Sequence, residues 1–362
     1  MSAVRSVAGS HPSRLARVAR LVPALLVASL VLVGLIAGPP AGAAATATSL
    51  NVGYFTGLIA EPETVIGSTP SLAASVPAAL HWVPVTAGVT ALAEMAAGGL
   101  DVVAGVGNPP TVASIANGVP LDVVWAQSLD SDSLVVHSNV KTPQALKGKT
   151  VGDLEGSSED YEVRGWLSTN HLTSSVQVVG FQSEQAIAAA WLAGKIDAGY
   201  VTGTPELTLV AHGGHPLTNA KKIAAIGYPG LNVLTVSDSL VKNDPSLVQK
   251  YVCAEATATN DLFSKQQDSY FKRSAALLGV AANQAVAATK EYLAYYITPA
   301  QEKHWLVGPG GTALTSPTVV AYTRTANFDL AQGRITSVPS PATLASHVIA
   351  KFALYAAAGH CS

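Results

Sequence analysis

Short apolar runs alternate with amphipathic stretches along the chain from Leu50 onward. Runs rich in Val, Leu, Ile and Ala predict buried strands, and apolar residues spaced three or four apart predict helices. The first predicted strands are Leu50–Tyr54, Trp82–Val85, Leu100–Val106 and Leu121–Ala126. Helices predicted between them, such as Val89–Ala97, are followed by glycines that end a helix. This alternation predicts an α/β fold built on mainly parallel sheets.

One helix-strand-turn unit occurs twice, about 100 residues apart. The matching positions are Leu100-Asp101 with Ile196-Asp197, Gly107 with Gly203, Asn108 with Thr204, and Pro109 with Pro205. In each copy the polar residue before the proline, Asn108 or Thr204, predicts a helix cap, and the proline suits the first helical turn. Two units with the same spacing predict two similar lobes, each presenting strand ends and helix starts to a shared ligand cleft.

Element order predicts the limits of the two lobes. The second lobe is predicted over residues 141–231, with a strand at Lys149–Leu154 and a helix at Ser158–Asn170. The first lobe is predicted to be discontinuous, comprising residues 48–140 and 232–362. The strand Asn232–Ser237 would return the chain to it, and the helical patterns that follow predict a helical C-terminal extension.

The N-terminal segment has the three-part pattern of a secretory signal peptide. Four arginines precede an apolar run from Leu21 to Gly38, and small residues continue to Ala47. We predict that residues 1–45 form the signal peptide, with cleavage after Ala45 or Ala47. The alternative is a retained membrane anchor, because about 18 apolar residues can cross a bilayer. No cysteine lies near the junction, so the predicted exported protein is extracytoplasmic or periplasmic and has no lipidated N-terminal cysteine.

Charge and cysteine content narrow the function classes. Without the leader, the chain has 17 basic and 23 acidic residues, a net charge of −6, which does not favour nucleic-acid binding. Cys253 and Cys361 both remain, and an oxidising compartment favours a disulfide between them. The alternative is two separate buried thiols.

No motif in the sequence calls for catalysis. The mature chain lacks a Gly-x-Ser-x-Gly nucleophile elbow, and His212 and His215 flank two glycines without a nearby cysteine or acid. We therefore predict a binding protein with no catalytic residue, no cofactor and no metal. The candidate ligand contacts are the loop-to-helix turns at Asn108, Ser157-Ser158 and Thr204, where free backbone N–H groups favour anions. The alternative is that these side chains only cap their helices.

Several segments together resemble the taurine, alkanesulfonate and nitrate binding proteins, and the taurine-binding proteins most of all. The segments are Asn51-Val52-Gly53-Tyr54, Ala60-Glu61-Pro62, Gly107-Asn108-Pro109-Pro110, Ala189-Ala190-Trp191, Gly194 to Val201, and Leu231-Asn232-Val233. The resemblance covers nearly the whole mature chain. It implies the type II periplasmic binding protein fold, with two Rossmann-like lobes and mixed sheets.

The resemblance also implies a function, the solute-binding component of an ABC importer. Such a protein closes its lobes on a small polar organic solute, such as taurine or another sulfonate. It then delivers the solute to a membrane permease that a cytoplasmic ATPase drives. A monomer that is not an enzyme is expected. The implied ligand-binding residues are Tyr54, Glu61, Asn108, Ser157, Ser158, Thr204 and Asn232. In this resemblance Asn108, Ser157, Ser158 and Thr204 would hold an anionic head group, Glu61 would face an amine, and Tyr54 would shape the wall.

Departures from the taurine-binding pattern leave the solute open. Asn232 stands where an aspartate is expected, and Thr202 stands where an aromatic residue is expected. Glu159 and Asp160 follow the Ser157-Ser158 turn and would repel an anion there. The alternative solute is therefore cationic or neutral and of the amine type. Alternatives from other classes are a pyrimidine-precursor synthase-like enzyme on the same fold, and a sensory or adhesion module.

Overall fold

A computed structural model describes residues 49–57 and 59–361. The predicted signal peptide, residues 1–45, lies outside the described residues. No helix within the described ranges combines the length and the apolar character that crossing a bilayer requires.

Within the described residues, ten strands form two five-stranded sheets. The strands are β1 Ser49–Phe55, β2 Ala79–Val85, β3 Val102–Val106, β4 Leu121–Leu129, β5 Ser133–His137, β6 Thr150–Leu154, β7 Gln177–Phe181, β8 Ala198–Val201, β9 Gly214–Asn219 and β10 Leu231–Ser237. The first sheet has the order β2-β1-β3-β10-β4, and the second has the order β7-β6-β8-β5-β9. Both sheets are mixed, which confirms the predicted α/β fold class with mixed sheets.

The helices cover the faces of these sheets and make up most of the chain after β10. They are α1 Pro62–Ser68, α2 Pro70–Ala73, α3 Gly88–Ala96, α4 Asn108–Ala116, α5 Ser158–Thr169, α6 Glu184–Leu192, α7 Gly203–Ala211, α8 Ala220–Ala225, α9 Asp238–Asn243, α10 Pro245–Leu262, α11 Gln267–Leu278, α12 Ala282–Tyr292, α13 Glu302–Leu306, α14 Pro317–Ala331, α15 Pro341–Ser346 and α16 Lys351–Ala357. Residues of α10 to α16 share one apolar core with the first sheet, so the predicted helical extension is present.

The sequence repeat corresponds to a repeat in structure. In each sheet three parallel strands are followed by one antiparallel strand, β10 in the first sheet and β5 in the second. Asp101 accepts the backbone N–H of Asn51 at 2.8 Å, and Asp197 accepts that of Thr150 at 2.9 Å. Each aspartate thus binds the strand that pairs with its own in the sheet, β1 beside β3 and β6 beside β8, which explains why the aspartate recurs in the repeat.

Two chain segments connect the sheets. Asp130–Asp132 joins β4 to β5, and the segment that ends at Gly230 leads from α8 to β10. The segments lie side by side, since the N–H of Asp130 donates to the Gly230 carbonyl at 3.2 Å. A Cβ on Gly230 would lie 2.1 Å from Oδ2 of Asp130, so the close approach requires glycine. Because β5 belongs to the second sheet, the chain enters that sheet upstream of residue 141, where the second lobe was predicted to start.

Cys253 and Cys361 form a disulfide with a Cα–Cα distance of 5.3 Å, as the sequence predicted. It joins α10 to the segment that follows α16. The carbonyl of Phe352 in α16 also accepts a hydrogen bond from the Gln249 side chain at 3.0 Å. The end of the chain is therefore held against α10 by one covalent and one polar link.

Candidate functional site

A cavity lies where the carboxyl ends of strands from both sheets meet. Its walls come from the segments after β1, β2, β3 and β4 of the first sheet and after β6, β7 and β8 of the second. The start of β10 and the end of α12 complete the walls. The volume is ≈ 70 Å³, room for roughly five water-sized groups. Meeting strand ends are where open α/β sheets bind ligands, so this cavity is the candidate site.

Four of the seven predicted site residues line this cavity: Glu61, Ser157, Ser158 and Asn232. Ser157 is the N-cap of α5 and accepts the N–H of Asp160, so its predicted capping role is confirmed. Asn232 donates to Asp130 Oδ1 at 2.7 Å. This contact holds the Asp130 carboxylate at the cavity wall.

The other three predicted residues do not line the cavity. The hydroxyl of Tyr54 donates to the Leu277 carbonyl at 3.2 Å, and its ring packs edge-on against Trp82. Thr204 donates across the cleft to the Gly57 carbonyl. Asn108 is fully buried, and its side chain contacts Thr325 and Leu231.

Asn108 and Thr204 are not helix caps, so that prediction is wrong for both. The caps are Gly107, one residue before Asn108, and Thr202, two residues before Thr204, and neither helix has a side-chain capping bond. Asn108 instead donates to the Thr325 hydroxyl at 2.6 Å and accepts the Leu231 N–H at 3.2 Å. It therefore ties the start of α4 to the returning segment and to α14.

Carboxylates dominate the cavity walls. Glu61, Asp130, Asp132, Glu159 and Glu184 all line the cavity. No lysine, arginine or histidine occurs among the described residues that line it. Asp130, Asp132 and Glu184 were missed by the sequence interpretation, whereas the acidic turn at Glu159 was noticed. Asp160 turns away from the cavity to pair with Arg164 and Arg334.

Two carboxylate triads share Asp132. One oxygen each of Asp132, Glu159 and Glu184 lie within 4.8 Å of one another, and the same holds for Asp130, Asp132 and Glu162. Asp132 is only 3 % exposed, and its Oδ1 has no hydrogen-bond partner among the described residues. Asp130 is 4 % exposed, and its Oδ2 is equally without a partner. Buried, unpartnered oxygens of this kind are costly unless a donor or a cation reaches them.

Burial and mutual repulsion raise the pKa values of this cluster. Burial, reinforced by the charge of Glu159, raises the pKa of Asp130 to about 7. The pKa of Asp132 is raised well above its usual range by burial and by Glu159 and Glu184. Burial and the charge of Glu159 act on the pKa of Glu184 in the same direction. The raised pKa values favour the protonated forms of these carboxyls, and a bound cation would favour their ionised forms.

A second cluster of carboxyl side chains includes Glu61 and lies on the first-sheet side of the cavity. Glu61 shares a hydrogen bond with Glu63, and Gln127 donates to Glu63 at 3.2 Å and to Glu255 at 2.6 Å. Glu63 and Glu255 are fully buried, and burial raises the pKa of each of these three carboxyls. The first-sheet side of the cavity thus offers no positive charge to an anion either.

Aromatic side chains form the remaining wall. Phe55, Tyr292, Tyr295 and Tyr296 line the cavity, the last three at the end of α12 and just after it. Tyr296 is fixed by a 2.8 Å hydrogen bond to the Ala60 carbonyl. Aromatic faces attract cations and cover apolar groups, so this wall suits the organic part of a cationic ligand.

Contacts between the two sheets' elements close the cavity. Gln185 of α6 donates to the Thr56 carbonyl at 3.2 Å, beside the contact between Thr204 and Gly57. Tyr292 of α12 donates to Glu206 of α7. The arrangement is a closed cleft whose two sides meet through polar contacts that solvent could replace.

The family of the chain follows from a comparison with known proteins. Residues 80–269, just over half of the chain, match the family described as NMT1/THI5 like. The chain belongs to the NMT1/THI5-like family. No curated protein matches its sequence.

Several solved structures share the fold of the chain. It is similar to the alkanesulfonate-binding protein SsuA from Xanthomonas axonopodis pv. citri, with a TM-score of 0.68, 20 % identity, and coverage of 85 % of this chain and 100 % of that one. It is similar to a Candida albicans protein described as having the generic periplasmic binding protein fold, with a TM-score of 0.61, 15 % identity, and coverage of 83 % and 96 %. The desulfurization enzyme DSZB matches with a TM-score of 0.57, 15 % identity, and coverage of 86 % and 99 %. The predicted fold and kinship are confirmed, and the fold serves both binding proteins and an enzyme.

Proposed function

We propose that the protein is the extracytoplasmic solute-binding component of an ABC importer, and that its solute is a small organic cation. The observation that carries the proposal is the cleft lined by five acidic residues and, within the described part of the chain, by no basic residue. A taurine or alkanesulfonate receptor was the first expectation from sequence. The acidic cleft supports the alternative, an amine-type solute.

The electrostatic argument against a sulfonate is direct. Removing an anion from water costs several kcal/mol unless opposite charges or several N–H donors replace the water. Here the nearest charged groups repel it, and Glu159 occupies the first turn of α5, where an anion would meet the helix N-terminus. A cation in the same place would be attracted by the carboxylates and covered by the aromatic wall.

Transport would use the two similar halves as lobes. We propose that each sheet with its helices is a lobe, and that Asp130–Asp132 and the segment ending at Gly230 are the hinge between them. The lobes would close on the solute and present it, as a monomeric receptor, to a membrane permease coupled to a cytoplasmic ATPase. The short, paired hinge segments support this motion, because a rotation about them opens the cavity without unfolding either half.

Three two-carbon compounds test the charge of the solute. Ethanolamine carries a cation, ethanesulfonate carries an anion, and taurine carries both. We expect ethanolamine to raise the melting temperature of the purified protein most and ethanesulfonate not at all. A ligand at a hundred times its Kd should add about 2.7 kcal/mol to the free energy of unfolding. Stabilisation by ethanesulfonate but not by ethanolamine would refute the proposal and restore the sulfonate receptor.

A larger residue at Gly107 is expected to hold the cleft open. A Cβ there would lie 2.6 Å from Oγ of Ser158, on the opposite side of the cleft. Gly107 has φ −66° and ψ 162°, which any residue adopts, so Gly107→Val does not strain the backbone. We expect Gly107→Val to weaken ethanolamine binding about tenfold or more in calorimetry, because closure is penalised.

The control for Gly107→Val is the melting temperature of the ligand-free variant. A residue that only obstructs closure leaves the melting temperature without ligand nearly unchanged, and Gly107→Ala should give an intermediate affinity. Unchanged affinity in Gly107→Val would show that Gly107 and Ser158 do not approach each other in the bound state.

A further inference from the structure

We propose that the solute carries a primary ammonium group, and that Asp132, Glu159 and Glu184 form its seat. This inference rests on the proposed function, because it specifies which cation the acidic cleft accepts. It excludes quaternary ammonium ions and metal ions as the solute's charged end.

The geometry of the three oxygens fits an ammonium group. A primary ammonium has three N–H donors in tetrahedral directions. Acceptors about 2.8 Å from the nitrogen along those directions lie roughly 4.6 Å from one another. One oxygen each of Asp132, Glu159 and Glu184 lie within 4.8 Å of one another. Their separation is compatible with one acceptor for each donor, and the fourth direction of the nitrogen would then carry the carbon chain.

An unpartnered oxygen shows that the seat needs a donor. Oδ1 of Asp132 has no partner among the described residues, although Asp132 is 97 % buried. An ammonium N–H supplies the missing hydrogen bond. A quaternary ammonium has no N–H, so it would enter the cleft and leave Oδ1 unsatisfied, at a cost that removes the advantage of its charge.

The protein holds the other two carboxylates in place. Glu184, at the first position of α6, is fixed by the Thr202 N–H, which donates to its Oε2 at 2.6 Å. The Ser158 hydroxyl donates to Glu159 at 3.3 Å. Side chains already held by backbone and hydroxyl donors lose little freedom on binding, so the seat is preformed.

The surroundings of the seat favour an ammonium over a metal ion. A calcium ion takes six to eight oxygen ligands. Both oxygens of Glu162 are already used, by the Gly230 N–H at 2.9 Å and the Tyr200 hydroxyl at 2.6 Å, and Asp130 Oδ1 is used by Asn232. Phe55 and three tyrosines form one wall of the same cavity. An organic group beyond the charge fits this aromatic wall, whereas a hydrated metal ion gains little from it.

Ethanolamine and choline form the matched pair that tests the seat, because they differ only in three N-methyl groups. We expect calorimetry on the full protein at pH 7.5 to show ethanolamine binding at least tenfold more tightly than choline. Calcium chloride or manganese chloride, each added as the single metal salt, should not compete with ethanolamine.

Substitutions of the seat residues test whether ethanolamine binds there. Asp132→Asn and Glu184→Gln should each weaken ethanolamine binding by about 10- to 100-fold, the effect of losing one charge-assisted hydrogen bond. Both should melt at or above the temperature of the parent protein without ligand, because each removes a buried carboxyl whose ionisation is opposed by burial and by its acidic neighbours. Glu94→Gln is the matched control at an exposed acid outside the cavity, and its affinity should equal that of the parent.

The outcomes separate this inference from the proposed function. Choline binding as tightly as ethanolamine overturns the ammonium seat while leaving an organic-cation receptor in place. Saturable binding of Ca²⁺ or Mn²⁺ that excludes ethanolamine and is lost in Asp132→Asn overturns the seat in favour of a metal site. Binding of ethanesulfonate alone overturns the proposed function itself.

Discussion

Without its disulfide, the double variant Cys253→Ala/Cys361→Ala is expected to lose about 2 to 4 kcal/mol of unfolding free energy. The bond spans 108 residues of sequence, so breaking it returns a large amount of conformational freedom to the unfolded chain. It also releases the tail that follows α16 from α10. Urea denaturation followed by circular dichroism measures the difference.

Reduction provides the control for the disulfide variant. The parent protein in dithiothreitol should unfold like the variant, and the variant should not respond to dithiothreitol. Neither cysteine lines the cavity, so ethanolamine affinity should be unchanged in the folded variant. Equal stability of parent and variant would show that the link contributes nothing beyond the packing of α16 on α10.

The ligand-free protein is expected to gain stability as the pH falls from 8 to 5.5. Burial raises the pKa of Asp130 from 3.8 to about 7 and that of Glu206 to about 7. A carboxyl whose folded pKa is raised contributes stability that is fully present below its unfolded pKa and is lost as the pH rises through the folded value. Between pH 5.5 and 7 each such group therefore changes the free energy of unfolding by about 2 kcal/mol.

Groups with lowered pKa values do not reverse this trend. Asp160 and Asp197 have pKa values below their usual range, Asp160 despite its burial and because of Asp153, Arg334 and Arg164. Their contribution is lost only as the pH falls through values below 4. Thermal melts at half-unit pH intervals test the prediction, and Asp130→Asn should flatten the profile. Stability that rises from pH 5.5 to 8 would contradict it.

The repeating architecture was predictable because its signals are local. The strand at Leu100–Val106 and the helix at Val89–Ala97 fall within two residues of β3 and α3. The repeated Asp101 and Asp197 marked equivalent positions in two sheets. Helix α1 was missed because Thr, Val, Ile, Gly and Ser dominate it, and such residues favour helix weakly. Its stability comes from packing, with five of its seven residues buried.

The site was only partly predictable, because its members meet through the tertiary fold. Asn108 and Thr204 have the residue type and the following proline of a cap. The extended backbone ends earlier, at Gly107 one residue before Asn108 and at Thr202 two residues before Thr204. Asp130 and Asp132 follow the end of a strand, a signal that such residues face a cleft. Their burial beside Glu184 depends on where the connecting segment crosses between sheets, which local sequence does not encode.

The contacts across the mouth of the cleft end on main-chain oxygens. Gln185 and Thr204 approach from one side, and the atoms that receive them are the carbonyls of Thr56 and Gly57. Substituting the Thr56 side chain leaves its carbonyl in place. The acceptors of these hydrogen bonds therefore persist through substitutions that preserve the path of the backbone. Sequence drift in relatives should therefore be tolerated at position 56 and restricted at positions 185 and 204.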